Sequence, residues 1–336
     1  MYALVTGGGG FLGRYIVEQL LDRGDRVRVF SRGAYPELQA IGVEVVRGDL
    51  REGDAVAEAC HSIDAVFHVA GKVGIWGRWQ DFYKTNVLGT QNVIDGCRRA
   101  GVKILTLTSS PSVTFNGNDQ IGVDESVPYP SNWLADYPHS KALAEQLVLA
   151  ASEPSLRTCA LRPHLVWGPR DQHLTARLIA RARSGRLRRV GEGNNLVDMV
   201  YVENAAAAHL QAADALQAVD SPVAGRAYFI SQGEPVECWK WIDEILALVE
   251  QGPVKYSLSR AGAERLGAVC EWVYRTLGIQ SEPPMTRFLA CQLATAHWFD
   301  ISAARRDFGY DPVISTEAGM RRLGAWLNGP DRSNRR

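Results

Sequence analysis

Tyr137 and Lys141 stand four residues apart in Tyr137-Pro138-His139-Ser140-Lys141, at the start of a helical pattern that runs to Ala151. Residues at that spacing share one helix face, with Cβ atoms about 6 Å apart. An ammonium there can lower a phenol's pKa, so Tyr137 could exchange a proton with a carbinol or carbonyl oxygen near neutral pH. The pair is commonplace on helices, but only six of the 37 basic residues are lysines, which makes Lys141 harder to dismiss. Ser109-Ser110 follows a short apolar run, Ile104–Leu107. A Ser110 hydroxyl at that strand end could orient and polarise a carbonyl while Tyr137 delivers the proton.

A second constellation is Thr6-Gly7-Gly8-Gly9-Gly10-Phe11-Leu12-Gly13, with glycines 7, 10 and 13 in a GxxGxxG spacing. It follows an apolar run and opens a helical pattern, the context in which glycines let a backbone turn sharply and approach a pyrophosphate at a helix N-terminus. The second run ends in Val29-Phe30-Ser31-Arg32-Gly33. An NAD-selective site places a carboxylate there, whereas Ser31 and Arg32 suit a ribose 2′-phosphate, so NADP(H) is the expected cofactor. Asp49, in Gly48-Asp49-Leu50, is placed to receive the adenine amino group.

The elements that must position these groups are short apolar runs at Tyr2–Val5, Val27–Phe30, Val43–Val46, Ala65–Val69, Ile104–Leu107 and Thr158–Leu161, each too short for a helix. Between them lie amphipathic patterns such as Leu12, Ile16, Val17, Leu20 and Leu21, stopped by Gly24. Such alternation predicts βαβ units, an α/β fold with a Rossmann-type, doubly wound parallel sheet. The regularity fades after Pro163, which predicts a smaller C-terminal substrate lobe. The expected division is 1–165 for the NADP(H)-binding domain, with 196–222 returning to it, and 166–195 plus 223–330 for the lobe.

Composition narrows the class. The chain has 336 residues, is 46% apolar and 22% charged, and its 37 basic residues balance 37 acidic ones. Disorder and fibrous folds are excluded, and nucleic acid is not an expected partner. Six scattered cysteines without C-x-x-C pairs argue against a disulfide framework or a metal site, and for a cytoplasmic protein. The first apolar run leads directly into the glycines, and no apolar stretch approaches the roughly 20 residues of a membrane span. No leader or transmembrane segment is therefore expected, which leaves room for peripheral membrane contact.

In order along the chain, the glycine loop, Asp49, His68-Val69-Ala70-Gly71, Asn86-Val87-Leu88-Gly89-Thr90, Ser110, Tyr137/Lys141 and Arg162-Pro163-His164-Leu165-Val166-Trp167-Gly168-Pro169 resemble the motifs of an extended short-chain dehydrogenase/reductase. The resemblance runs to about residue 312. It implies that Asn86 supports the active-site helix and its proton path, and that Ser110 is the catalytic serine, with Val113 three residues on. It also implies cofactor contacts from Phe11, Leu12, Leu50, Val69, Ala70, Gly71 and Lys141, with Pro163 and Val166 near the nicotinamide carboxamide, and a homodimer. Pro284-Met285-Thr286-Arg287-Phe288 and the stretch from Phe299-Asp300 to Tyr310-Asp311-Pro312 resemble the 3β-hydroxysteroid dehydrogenase-type group. Tyr35-Pro36-Glu37-Leu38-Gln39, Trp76-Gly77, Ser110–Thr114 and Phe229–Pro235 are similar to the bacterial 2-alkyl-3-oxoalkanoate reductases of long-chain olefin biosynthesis. That implies NADPH-dependent reduction of a β-keto acid, beside a β-lactone synthetase and a β-lactone decarboxylase.

Trp76, Trp79 and Trp133 flank the catalytic segments, and His164, Trp167 and Met199 are expected at the same cleft, each with core packing as its alternative. An apolar cleft suits a hydrophobic small-molecule substrate better than a sugar nucleotide. A sugar-nucleotide epimerase or a 3β-hydroxysteroid or sterol dehydrogenase are the competing readings; Ser31-Arg32 disfavours NAD-linked versions of either. Leu266, Val269, Cys270, Val273, Tyr274 and Leu277 space as one helical face, for which packing against the sheet domain is expected over a lid, membrane or partner face. The arginines at 177, 181, 183, 186, 188 and 189 read as the solvated side of an amphipathic helix.

Overall fold

The computed structural model describes residues 1–329. Its strands β1 (Tyr2–Thr6), β2 (Arg26–Ser31), β3 (Glu44–Arg47), β4 (Ala65–His68), β5 (Ile104–Thr108) and β6 (Arg157–Pro163) form at the short apolar runs. With β7 (Arg226–Ile230) they make one sheet in the order β7-β6-β5-β4-β1-β2-β3, every neighbour pair parallel. Parallel pairing needs crossovers that cover both faces, so the strands are apolar throughout rather than alternating. The principal helices are α1 (Phe11–Asp22), α2 (Gly89–Ala100), α3 (Asp136–Ala150), α4 (Leu174–Arg183), α5 (Val202–Ala215), α6 (Arg260–Thr276) and α7 (Arg287–Ala294). Leu12, Ile16 and Leu20 of α1 share a core with Ala205, Ala208 and Ala212 of α5 on one sheet face. Val93 and Cys97 of α2 and Val148 of α3 build the core of the other. The strand order reverses between β1 and β4, and a crevice at such a switch point is where open α/β sheets bind ligands.

Residues 223–330 were expected in the second lobe, but β7 completes the main sheet, with Ala227 opposite Ala160 and Ile230 opposite Pro163. Ala227-Tyr228-Phe229-Ile230 is as short and apolar as the other strands. Only long-range pairing after the excursion through α4 and α5 reveals its sheet. The lobe itself has a four-stranded sheet ordered Val236–Glu237, Leu196–Val197, His297–Phe299, Gln120–Val123. Its core corrects two expectations about the cleft. Trp167 is fully buried between Tyr201 (ring centroids 5.3 Å) and Trp241 (5.6 Å), and Met199 lies in the same apolar cluster. Both side chains pack the lobe and do not border a cleft.

The apolar face of α6 is a further correction. The helix turns Ala263, Gly267 and Glu271 inward and leaves Leu266, Val269 and Trp272, with Leu277 at its C-cap, exposed. Gly267 meets α7 so closely that a Cβ would lie 2.6 Å from the Arg287 nitrogen. Glu271 accepts that backbone N–H at 2.7 Å and pairs with the Arg287 guanidinium at 2.8 Å. Backbone approach and a satisfied buried acid fix the docked face, which apolar periodicity could not indicate.

Tyr137, Lys141 and Glu145 follow one another at four-residue steps on α3, and Glu145 is fully buried. Its carboxylate takes Arg162 of β6 through Nη2 at 2.6 Å and the Tyr129 hydroxyl at 2.7 Å. Removing one partner of such a pair strands the other charge. Glu145→Ala should therefore cost about 3–5 kcal/mol in urea unfolding, and Glu145→Leu with Arg162→Met should recover most of it. An unchanged midpoint in Glu145→Ala would contradict this.

Candidate active site

Lys141 is buried, and its ammonium donates to the Thr108 carbonyl at the end of β5, at 2.6 Å. Burial pulls its pKa down to about 8, with the Glu145 carboxylate opposing. Burial likewise pushes the Tyr137 phenol up to about 12, and the Ser110 hydroxyl acts against that rise. The expected lowering of the phenol by Lys141 is not what sets its state, because desolvation dominates and the ammonium is turned to Thr108. Tyr137 is consequently a protonated acid at neutral pH, the form that donates a proton to a developing alkoxide. Ser110 caps the single turn Pro111–Thr114, accepting the Ser112 N–H at 3.2 Å, with its Oγ 2.9 Å from the Ser112 hydroxyl. Ser110 lines a cavity with Tyr137; Ser109 does not.

Asn86 sits in a π-helical turn, Tyr83–Leu88, a wide turn of a kind that recurs at functional sites. Its Oδ1 accepts the Lys72 N–H at 2.6 Å, and its Nδ2 donates to the Lys72 carbonyl (3.0 Å) and to Ser140 Oγ (2.9 Å). Ser140 in turn donates to the Tyr137 carbonyl at 2.8 Å. Asn86 thus ties the loop after β4 to the first turn of α3. Its backbone carbonyl accepts Thr90 Oγ1, which also lies 2.9 Å from His68 Nε2; His68 Nδ1 is 2.8 Å from Thr6 Oγ1. Burial first, then the Lys141 charge, pulls His68 down to about 3 and keeps it neutral. The sequence reading gave Thr6, Thr90 and Ser140 no role, and chain spacing alone could not have linked them.

The glycine loop is a cradle with no room for side chains. Gly7 has φ +70°, and a Cβ there would lie 2.9 Å from Ala70 Cα; a Cβ on Gly13 would lie 2.3 Å from the Gly7 carbonyl. Gly10 begins α1 without a side-chain cap, which leaves Phe11, Leu12 and Gly13 at a positive helix terminus open to an anion. Val69, Ala70 and Gly71 run alongside, with the Ala70 N–H on Thr6 Oγ1 at 3.2 Å. At the end of β2 the Ser31 hydroxyl is buried without a partner, and Arg32 is exposed beside it. Asp49 is held by Arg51 at 2.6 and 2.9 Å, which keeps its carboxyl below the usual range. The Leu50 side chain packs in the core against Gly89, and its carbonyl takes Asn92. The Tyr35 ring, given no site role by the sequence, lies against Gly9 and Gly33 from a residue at φ +47°. The tight cradle and the orphaned Ser31 hydroxyl fit a nicotinamide dinucleotide.

The cavity beside Tyr137 measures about 150 Å³ and is closed by His164, Phe288, His297 and Phe299. His164 donates its Nδ1–H to the Asp198 carbonyl (2.5 Å) and stands edge-on to His297 and Phe299; burial keeps it well below its ordinary pKa. Pro163 and Val166 flank it at the end of β6. Trp133 and Trp79 each stack on the His139 ring in the first turn of α3, with centroids at 5.0 and 4.6 Å. Trp76 donates to the Ile279 carbonyl at 3.1 Å and meets Tyr274 edge-on. Phe288, Gln292, His297 and Phe299 arrive from the distant lobe; Phe288 and Phe299 lie in the family-like motifs of the sequence, but no local pattern places any of the four at the cavity.

Residues 4–252 match the 3-beta hydroxysteroid dehydrogenase/isomerase family. The chain belongs to that family. It is 50% identical over 328 residues to a 2-alkyl-3-oxoalkanoate reductase of Stenotrophomonas maltophilia, covering 97% of this chain and 99% of the relative. A protein of the same name from Shewanella oneidensis is 47% identical, covering 97% and 86%. Among solved structures, MoeE5 in complex with UDP-glucuronic acid and NAD superposes with a TM-score of 0.74 at 25% identity, covering 97% and 99%. This member of the 3-beta hydroxysteroid dehydrogenase/isomerase family is an extended short-chain dehydrogenase/reductase and an NAD(P)-dependent oxidoreductase.

Two outcomes follow for catalysis. Tyr137→Phe should lower kcat for carbonyl reduction by about 10²–10⁴-fold with an unchanged circular dichroism spectrum. Wild-type kcat should fall as pH rises through about 8, where Lys141 loses its charge. That fall is not unfolding. Between about 8 and the ordinary 10.5 the unfolded chain binds the Lys141 proton that the folded chain has lost, so this group adds stability as pH rises. A flat kcat profile from pH 7 to about 9.5 would exclude the Lys141 assignment.

Proposed function

We propose that the protein reduces the 3-keto group of 2-alkyl-3-oxoalkanoates to the β-hydroxy acid, with NADPH as hydride donor. The observation that carries this reading is the 47–50% identity to two reductases so named over nearly the whole chain. The site's geometry supports it: a protonated phenol and a serine hydroxyl share a cavity closed by Phe288 and Phe299. The cofactor, when bound, supplies the hydride. Ser110 polarises the keto oxygen, Tyr137 gives it a proton, Lys141 supplies the nearby positive charge, and Asn86 holds the first turn of α3 in place. The three tryptophans suit the alkyl arms. The reading extends to long-chain olefin biosynthesis in the cytoplasm, to a homodimer, and to working beside a β-lactone synthetase and a β-lactone decarboxylase.

NADP(H) preference rests on the free Ser31 hydroxyl and the Arg32 guanidinium at the end of β2, where no carboxylate stands. Loss of a charge-assisted contact of about 1.5–3 kcal/mol predicts that Arg32→Ala raises KM for NADPH roughly 10–100-fold and leaves NADH almost unaffected. Equal kcat/KM for the two cofactors in the wild type would overturn the preference. The substrate is tested by NADPH oxidation against 2-alkyl-3-oxo acids, oxosteroids and UDP-sugars. Activity on the oxosteroids or sugars with none on the branched keto acids would refute the reading.

A further inference from the structure

Two features have no part in the site: the exposed face of α6 and the arginine run that begins on α4. In the fold they are neighbours. Arg189–Val190 pairs with Ser257–Leu258, immediately before α6, and Glu282, just after it, takes Arg177 at 3.0 Å and Arg181 at 3.6 Å. The arginine segment therefore borders α6 at both ends.

On α6 and at its C-cap, Leu266, Val269, Trp272 and Leu277 are 43%, 59%, 69% and 68% exposed; Val269 and Trp272 point away from Ala263, Gly267 and Glu271, and Leu266 and Leu277 flank that exposed stripe. Residues 174–190 and 256–287 together hold ten arginines and three glutamates, in a chain whose net charge is zero. Each of those glutamates is already ion-paired, Glu264 with Arg260, Glu271 with Arg287 and Glu282 with Arg177. Arg183, Arg186 and Arg265 are exposed.

We propose that this face docks the protein on an anionic lipid surface, with α6 lying in the interface plane and the surrounding arginines over the headgroups. An amphipathic helix with apolar residues and tryptophan on one face and arginines at its flanks is the chemistry that binds such a surface. No helix among the described residues is long and apolar enough to cross a membrane, so the contact is peripheral. A second copy of the chain is a poorer occupant, because a two-fold contact would bring one arginine cluster against the other. A nucleic acid would satisfy the arginines but leave the leucines and Trp272 in water. Near the C-terminal end of α6, Tyr274 and Ile279 contact Trp76 of the loop after β4, so the docked helix would bring that loop next to lipid. Docking does not depend on which substrate is reduced.

The test is flotation of the full-length protein with vesicles of phosphatidylcholine alone or mixed with phosphatidylglycerol. Binding is expected to the mixed vesicles, weaker at high salt, and much lower on phosphatidylcholine alone. Val269→Asp with Trp272→Asp should reduce it by at least about tenfold. Arg183→Glu and Arg186→Glu should each weaken it about fivefold or more. Reductase activity in solution and thermal midpoint should stay unchanged in all of them. Absence of wild-type binding to mixed vesicles at low salt would overturn the proposal, as would binding indifferent to the Asp substitutions. Sedimentation showing that those substitutions turn an oligomer into a monomer would assign the face to subunit contact and also overturn it.

Discussion

An ammonium held out of water on a strand-end carbonyl is the constraint around which the site is arranged. Lys141 can stay on Thr108 only if α3 lies flat against the end of β5, and that placement brings Tyr137, one turn earlier, beside Ser110. One turn later Glu145 offers a negative charge, itself neutralised by Arg162 from β6. Three polar side chains thus run down the inward side of one helix, each matched by a group on the sheet. That is why α3 buries Ser140, Lys141 and Glu145 where an ordinary amphipathic helix would bury only apolar groups.

The same scaffold reaches the cofactor loop through a chain of hydrogen bonds whose direction can be worked out. Ala70 N–H donates to Thr6 Oγ1, so the Thr6 proton points to His68 Nδ1. Thr90 gives its proton to the Asn86 carbonyl, so it accepts from His68 Nε2–H. Every donor and acceptor in the series has one consistent role, with His68 as the neutral Nε2 tautomer, the state its burial beside Lys141 requires. The glycine loop after β1, the loop after β4 and the turn that carries Asn86 are therefore one unit. A shift in any of them would leave a buried polar group unpaired, which costs more than the bond itself contributes.

What the sequence disclosed follows the range of the forces involved. Six strands, the glycine cradle and the Tyr137/Lys141 pair are legible because each is a matter of spacing within one or two turns of chain. The strand β7, the cavity walls at Phe288, His297 and Phe299, and the burial of Trp167 and Met199 are set by contacts between segments far apart, for which a lone sequence carries no register. The face of α6 was misjudged for a different reason. Hydrophobicity marks the face that could be buried, but close backbone approach at Gly267 and the ion pair of Glu271 decide which one is.

The scarcity of lysine beside abundant arginine acquires a physical sense at the site. Arg162 must keep its charge when buried, because among the described residues it is the cation paired directly with Glu145, and a guanidinium does so at any accessible pH. Lys141 stands only four residues away on the same helix as Glu145, yet burial brings its pKa near the working range. An arginine in its place could bind Thr108 but would keep its charge at any accessible pH. A compact ammonium suits that carbonyl, whereas the forked guanidinium suits the two oxygens of Glu145, so the two buried cations are not interchangeable. The chemistry thus explains the residue type at both positions, one permanent charge that holds the sheet to α3 and one adjustable charge beside the phenol.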